Sequence, residues 1–126
     1  MIRHLPAGPL YVSLHKDVSE TDRQLLQSSQ ILQFDDDMDF SGTAALCECL
    51  DLVISVDTSL AHLSGALGKN TWILLPFVPD WRWLLDRADS PWYPSVRLYR
   101  QDRRGDWSCV LERMQADLIR AFDIRQ

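Results

Sequence analysis

Between Ser55 and Gly68 the chain reads SVDTSLAHLSGALG: an apolar run stops at Asp57-Thr58-Ser59, and small residues and leucines then carry one histidine, His62. A carboxylate, two hydroxyls and an imidazole at this spacing suit anion binding. A helix that starts directly behind a strand offers free backbone N–H groups and the positive end of its dipole, which attract a group such as phosphate. Thr58 or Ser59 can cap that helix. His62, four residues after Thr58, lies one turn on and on the same face, and helical side chains lean toward the N-terminus, so the imidazole can reach an anion there. Ala61, Gly65 and Gly68 allow close packing, and Leu60, Leu63 and Leu67 supply core contacts. The same residues also read as a plain capping sequence followed by a histidine bonded to backbone, because strand-to-helix caps occur throughout α/β proteins.

The elements that must position these residues alternate. Leu10 to Leu14 reads as a strand between Pro9 and the polar turn His15-Lys16-Asp17, followed by a helix from Glu20 to Ser28 with Ser19 as N-cap and Leu25-Leu26 on its buried side. Ile31 to Phe34 is a short second strand, and after the acidic loop DDDMDFSG a second helix runs from Thr43 to Leu50. Leu52 to Val56 is the third strand. The third helix, Ser59 to Leu67, ends at Gly68, which can take the left-handed conformation that closes a helix, and Thr71 to Leu75 is the fourth strand. Pro76 to Pro94 holds four prolines and three of the five tryptophans and reads as a long loop with one helical turn. Val96 to Tyr99 is a fifth strand. Asp106 can cap a last helix whose Trp107, Val110, Leu111, Met114, Leu118 and Phe122 form one apolar face.

This alternation predicts an α/β fold, an open parallel sheet of about five strands with helices on both faces, in which ligands bind beyond the carboxyl ends of the strands. A length of 126 residues suits a single domain, residues 1–126. The apolar share of 46% and charged share of 25% are those of an ordinary globular protein. No apolar run approaches the roughly 18 residues of a membrane span, and the N-terminus lacks a signal pattern, so no membrane span and a cytoplasmic address are expected. Cys47, Cys49 and Cys109 fit neither a disulfide framework nor a zinc motif, and free thiols suit a reducing compartment. A net charge of −5 argues against nucleic-acid binding and for small-molecule or protein partners.

Other features point to weaker chemistry. Asp35-x-Asp37 has the spacing that holds a divalent metal on a diphosphate in some transferases, but acids ahead of a helix start ordinarily complement its dipole, and no metal is expected. Asp57 behind a third strand also invites comparison with phospho-accepting receiver domains. Those need an acidic pair where this chain has His15-Lys16 and a lysine where it has Arg100-Gln101. No G-x-G-x-x-G follows the first strand, so the case for the usual dinucleotide site is weak. Trp81, Trp83, Trp92 and Tyr93 can stack a base or sugar, or pack as a lid over the core. Arg82 can pair with phosphate bidentately, or with Asp80 or Asp86.

The stretch Thr43 to Phe77, TAALCECLDLVISVDTSLAHLSGALGKNTWILLPF, resembles the C-terminal nucleotide-sugar-binding domain of the heptosyltransferase-like glycosyltransferases (family 9), which have the GT-B fold. With PFVPDWRWLLDRADSPWYPSVRLYRQ included, the chain is most similar to the bacterial tetratricopeptide-repeat-linked members. The resemblance covers Leu10 to Leu118 and is most specific at DTSLAHLSGALG and PDWRW. It implies that Asp57, Thr58, Ser59 and His62 face the diphosphate of a nucleotide-sugar donor, with the polar turn Gly42-Thr43 near the ribose or base. It further implies that Lys16 lies near the donor phosphate and that Trp81 and Arg82 line the cleft toward a partner domain. No cofactor beyond the nucleotide-sugar substrate is implied.

The chain departs from that pattern twice. Ser59 stands where those enzymes usually have a glycine that lets phosphate approach closely. The acceptor and usually the catalytic base of such enzymes belong to an N-terminal domain that these residues do not supply. The expectation is therefore donor binding, with transfer needing a second domain or chain. The competing expectation is a non-enzymatic nucleotide-binding or protein-interaction module, for which an apolar face bared by the missing domain would favour a homodimer.

Overall fold

The structure, a computed structural model, describes residues 1–15, 17–34 and 38–124. Strands and helices alternate: β1 (Val12–Ser13), α1 (Glu20–Gln27), β2 (Leu32–Gln33), α2 (Phe40–Glu48), β3 (Val53–Val56), α3 (Ser59–Ala66), β4 (Thr71–Leu75), β5 (Val96–Arg100) and α4 (Ser108–Ala121). All ladders between these strands are parallel, and the fold is α/β as the alternation predicts.

β4 is the centre of a three-stranded sheet of order β3-β4-β5, with Val53 opposite Thr71 and Thr71 opposite Val96. Its residues are all buried, as expected of a central parallel strand covered on both faces. Alternation along the strand divides the core in two. Ile73 and Leu75 join Val96 and Leu98 of β5, Ala61 of α3 and Trp83 on one face. Trp72 and Leu74 join Tyr99 and the Val110, Met114 and Leu118 stripe of α4 on the other. The three-to-four-residue spacing of that stripe is the one read in the sequence, although Phe122 stays exposed. The outer edge of β5 is partly covered, since Leu98 N–H donates to Ala88 O at 2.7 Å and Asp89 bridges Arg97.

A single open sheet of five strands is not what the ladders form. β1 and β2 pair with each other in a separate two-stranded sheet, Val12 opposite Leu32 and Ser13 opposite Gln33. Between the facing flanks of β1 and β3 lies a cleft of about 620 Å³, lined by Leu10, Tyr11, Val12, Leu14, Leu52, Ile54 and Val56. That open space separates the two ladders.

Local signals account for the helix ends. Ser19 caps α1, its hydroxyl accepting from Asp22 N–H at 3.2 Å. α1 turns Leu26 inward but leaves Leu25 at 49% exposure, because adjacent residues of one helix lie about 100° apart and only one can point to the core. α2 begins at Phe40, earlier than the expected Thr43, because Asp39 caps it: its carboxylate accepts from Gly42 N–H at 2.7 Å. α3 closes on Gly68 at φ +72°, with Lys69 N–H donating to Ser64 O and Gly68 N–H to Gly65 O, which satisfies the last carbonyls. Leu67, expected in the core, is the residue that ends α3 and is exposed. Among the described residues, no helix is long and apolar enough to cross a membrane.

Candidate functional site

The turn from β3 into α3 carries the residues singled out in the sequence. β3 ends at Val56, Asp57 follows, Thr58 occupies the N-cap position and Ser59 is the first helical residue. Thr58 is a good capping residue by type, yet its hydroxyl makes no capping hydrogen bond to α3. Its Oγ1 lies 3.1 Å from Oγ of Ser55, and the Ser55 hydroxyl donates to Val56 O at 2.8 Å. The first N–H groups of a helix have no partner within it, so the start of α3 keeps its donors and its positive partial charge for something outside the helix.

The side chains around this start fall on two flanks. Thr58 and Ser59 line the cleft between β1 and β3, together with Thr43 of α2 and the leucines Leu60 and Leu63. Thr43 is buried, and its hydroxyl donates to Asp39 O at 3.0 Å, so it sits inside α2 rather than in a turn before it. The lining is mostly apolar and includes a few polar residues, among them Ser13, Ser55, Thr58 and Ser59, as in small-molecule clefts oriented by a few polar groups.

His62 and Asp57 stand on the other flank, outside the cleft lining. His62 Nε2 is 3.5 Å from Asp57 Oδ1, and Nδ1 is 3.1 Å from the hydroxyl of Tyr93. The imidazole stacks on the indole of Trp83 with centroids 5.0 Å apart and planes 23° from parallel, and meets Tyr93 edge-on at 5.8 Å. Trp83 is fully buried, and its indole N–H has no hydrogen-bond acceptor among the described residues. Arg100, at the end of β5, anchors the segment that delivers Trp83. Its Nη2 donates to Trp83 O and its Nε to Arg87 O at 2.8 Å. Burial draws the Arg100 guanidinium below its usual pKa, a shift opposed by the nearby Asp86 carboxylate.

The 3-10 turn Trp81–Trp83, capped by Asp80, separates neighbours in sequence. Trp83 goes into the core. Trp81 is 71% exposed, and Arg82 lies over its ring at 5.2 Å while pairing with Asp80 at 3.1 Å, the ion pair the sequence allowed. Trp81 and Arg82 therefore partner each other on the surface, and neither is among the residues lining the cleft between β1 and β3. Trp92, exposed as well, donates its indole N–H to Arg82 O at 2.8 Å. Lys16 and the pair Asp35 and Asp37 lie outside the described residues.

Of the four residues expected at one site, Thr58 and Ser59 line the cleft while Asp57 and His62 meet on the other flank; Ser55, which holds the Thr58 hydroxyl, was missed, and Tyr93 was given no role toward His62. The Ser55 signal was local, a hydroxyl three residues before Thr58. The Tyr93 contact spans 31 residues and no local pattern announces it.

The chain matches no protein-family profile, and no solved structure matches it significantly. Over 84 residues, 67% of this chain, it is 34% identical to Protein FlbA of Caulobacter vibrioides. The chain spans only about a seventh of that relative, 14% of its length.

Proposed function

We propose that this chain is the nucleotide-diphosphate-sugar binding domain of a glycosyltransferase-like protein, related to the tetratricopeptide-repeat-linked subgroup, and that sugar transfer requires a second domain or chain. The observation that carries the proposal is the uncapped start of α3: Thr58 turns its hydroxyl to Ser55, leaving the helix donors open at the mouth of the cleft. A diphosphate accepts from the N–H groups of Ser59 and Leu60 there and gains from the helix dipole. The ribose or base then extends into the cleft past Thr43, and His62 reaches the phosphates from the opposite flank. Asp57 brings negative charge to the same place, and an N–H on His62 Nε2 offsets part of it.

In a complete enzyme this arrangement would act on the leaving group. Charge builds on the nucleoside diphosphate as the sugar departs, and preorganised donors at a helix start stabilise it without reorganising. No metal is needed for that role. A cytoplasmic location belongs to the same proposal and accords with the unpaired thiols of Cys47, Cys49 and Cys109.

A second reading is favoured by one feature. Phe77, Val78, Trp81, Leu85 and Trp92 are all exposed in the segment that follows β4. Apolar residues concentrated on one segment suit a protein contact, with a companion domain or with a second copy of this chain. Calorimetric titration with nucleoside diphosphates and their sugars separates the readings, since an interaction module that has lost donor binding returns no heat.

A further inference from the structure

We infer that Tyr93 is a positioning residue for His62, holding the imidazole through Nδ1 so that Nε2 carries its proton toward Asp57 and the start of α3. The inference rests on the donor-site reading for its functional meaning, but its geometry stands independently. Four groups meet the imidazole: the Asp57 carboxylate from the β3–α3 turn, the Tyr93 hydroxyl from the segment before β5, the Trp83 indole, and the helix that carries it. A carboxylate only accepts, so the 3.5 Å approach of Asp57 to Nε2 is attractive when Nε2 bears hydrogen. In the neutral ring Nδ1 is then an acceptor, and the Tyr93 hydroxyl at 3.1 Å donates to it. In the protonated ring Nδ1–H donates to the same oxygen, because a phenol hydroxyl can do both. Tyr93 thus keeps the ring oriented in either state, with the Nε2 edge turned to the helix start.

Two further contacts place the Tyr93 ring itself. Gly65, three residues after His62 and on the same face of α3, lets the ring lie against the helix: a Cβ there would stand 2.8 Å from Tyr93 Cγ and 3.0 Å from Cδ2. Trp83, stacked under the imidazole, also touches Tyr93, with centroids 6.3 Å apart. Gly65 thus seats the phenol, and the phenol and the indole together contact the imidazole.

Tyr93→Phe is the test, since it keeps the ring and removes only the hydroxyl. In the full chain labelled with nitrogen-15, the His62 Nδ1 resonance of the variant is expected to move toward that of an unbonded acceptor nitrogen, while the amide spectrum elsewhere stays. An unchanged imidazole spectrum would overturn the inference, whether or not a nucleotide binds. Affinity for UDP, ADP or GDP, whichever binds the unmodified chain, is expected to fall about threefold to tenfold, the scale of one hydrogen bond. In a His62→Ala background the same change is expected to cost nothing further, because Tyr93 acts through His62. Additive losses would mean that Tyr93 acts by itself and would overturn the positioning role. Absence of binding by the unmodified chain would sink the donor-site reading alone, and the imidazole spectrum would then decide on Tyr93.

Discussion

The hydroxyl of Thr58 lies 3.1 Å from that of Ser55, one strand position before Val56, and so turns away from the helix that Thr58 begins. A threonine at this position ordinarily satisfies one of the first helix N–H groups and contributes about 1 kcal/mol to stability by doing so. Its diversion leaves a polarised helix start exposed beside a cleft. Ser55→Ala releases the Thr58 hydroxyl to cap α3. The expected outcome is a midpoint of thermal unfolding close to that of the parent, because a cap offsets the lost Ser55 bond, with several-fold weaker binding of nucleoside diphosphate by calorimetry.

Gly65 and Tyr93 meet too closely for any side chain between them. Gly65→Ala places a methyl 2.8 Å from the Tyr93 ring, and overpacking of this kind costs about 1 to 3 kcal/mol. A gain in helix propensity of up to about 1 kcal/mol opposes it. Urea unfolding is expected to show a lower midpoint with an unchanged slope, and the His62 imidazole signals are expected to shift as the ring is pushed off the helix.

Ser64 and Thr71 tie α3 to β4 through a buried hydroxyl pair 2.6 Å apart, and Thr71 also donates to Lys69 O at 2.9 Å. The two truncations are therefore unequal. Ser64→Ala leaves Thr71 with a partner and is expected to cost about 1 kcal/mol. Thr71→Val strands a buried Ser64 hydroxyl and is expected to cost about 1 to 3 kcal/mol. Equal losses in denaturant titrations would contradict this reading of the pair.

Tyr99 supplies a pH test. Burial, followed by its hydrogen bond to Asp117 at 3.0 Å, pushes its phenol well above the ordinary value, against the opposing charge of Arg97. Burial raises Tyr11 as well. A group whose pKa is raised on folding contributes stability that is full below its unfolded value, near pH 10 for tyrosine, and is lost as pH climbs toward the folded value. Stability is thus expected to decline from about pH 10 upward, and more shallowly in Tyr99→Phe. An alkaline limb of identical slope in that variant would show that Tyr99 does not carry the effect.

Particular residues show how far the sequence could be read. Thr71 to Leu75 was legible as a strand and Gly68 as a helix end because both signals are local: an apolar run in the first case, a residue tolerant of positive φ in the second. The start of α2 was misplaced because Asp39 sat in an acidic run where several residues compete for the cap. Leu25 and Leu67 were taken as core because leucines in a helix usually are, and burial depends on which neighbours arrive. The pairing of β1 with β2 alone, apart from the β3-β4-β5 ladder, is a tertiary arrangement that no local pattern carries. At the site, the β3-to-α3 turn was legible residue by residue. Of the partners that give it meaning, Ser55 is a local neighbour, while Tyr93 and Trp83, on the same face of the sheet as α3, depend on tertiary placement.

The central claim is that the start of α3 receives a nucleoside diphosphate, and calorimetric titration at low ionic strength with UDP, ADP, GDP and their sugars tests it most directly. The account predicts saturable binding of one of these with one site per chain, weakened about tenfold by His62→Ala, as expected for loss of a hydrogen bond to a charged group, beyond the loss of stability that follows from removing the ring stacked on Trp83. No heat with any of the nucleotides, or a His62→Ala variant that loses stability and keeps affinity, would contradict it.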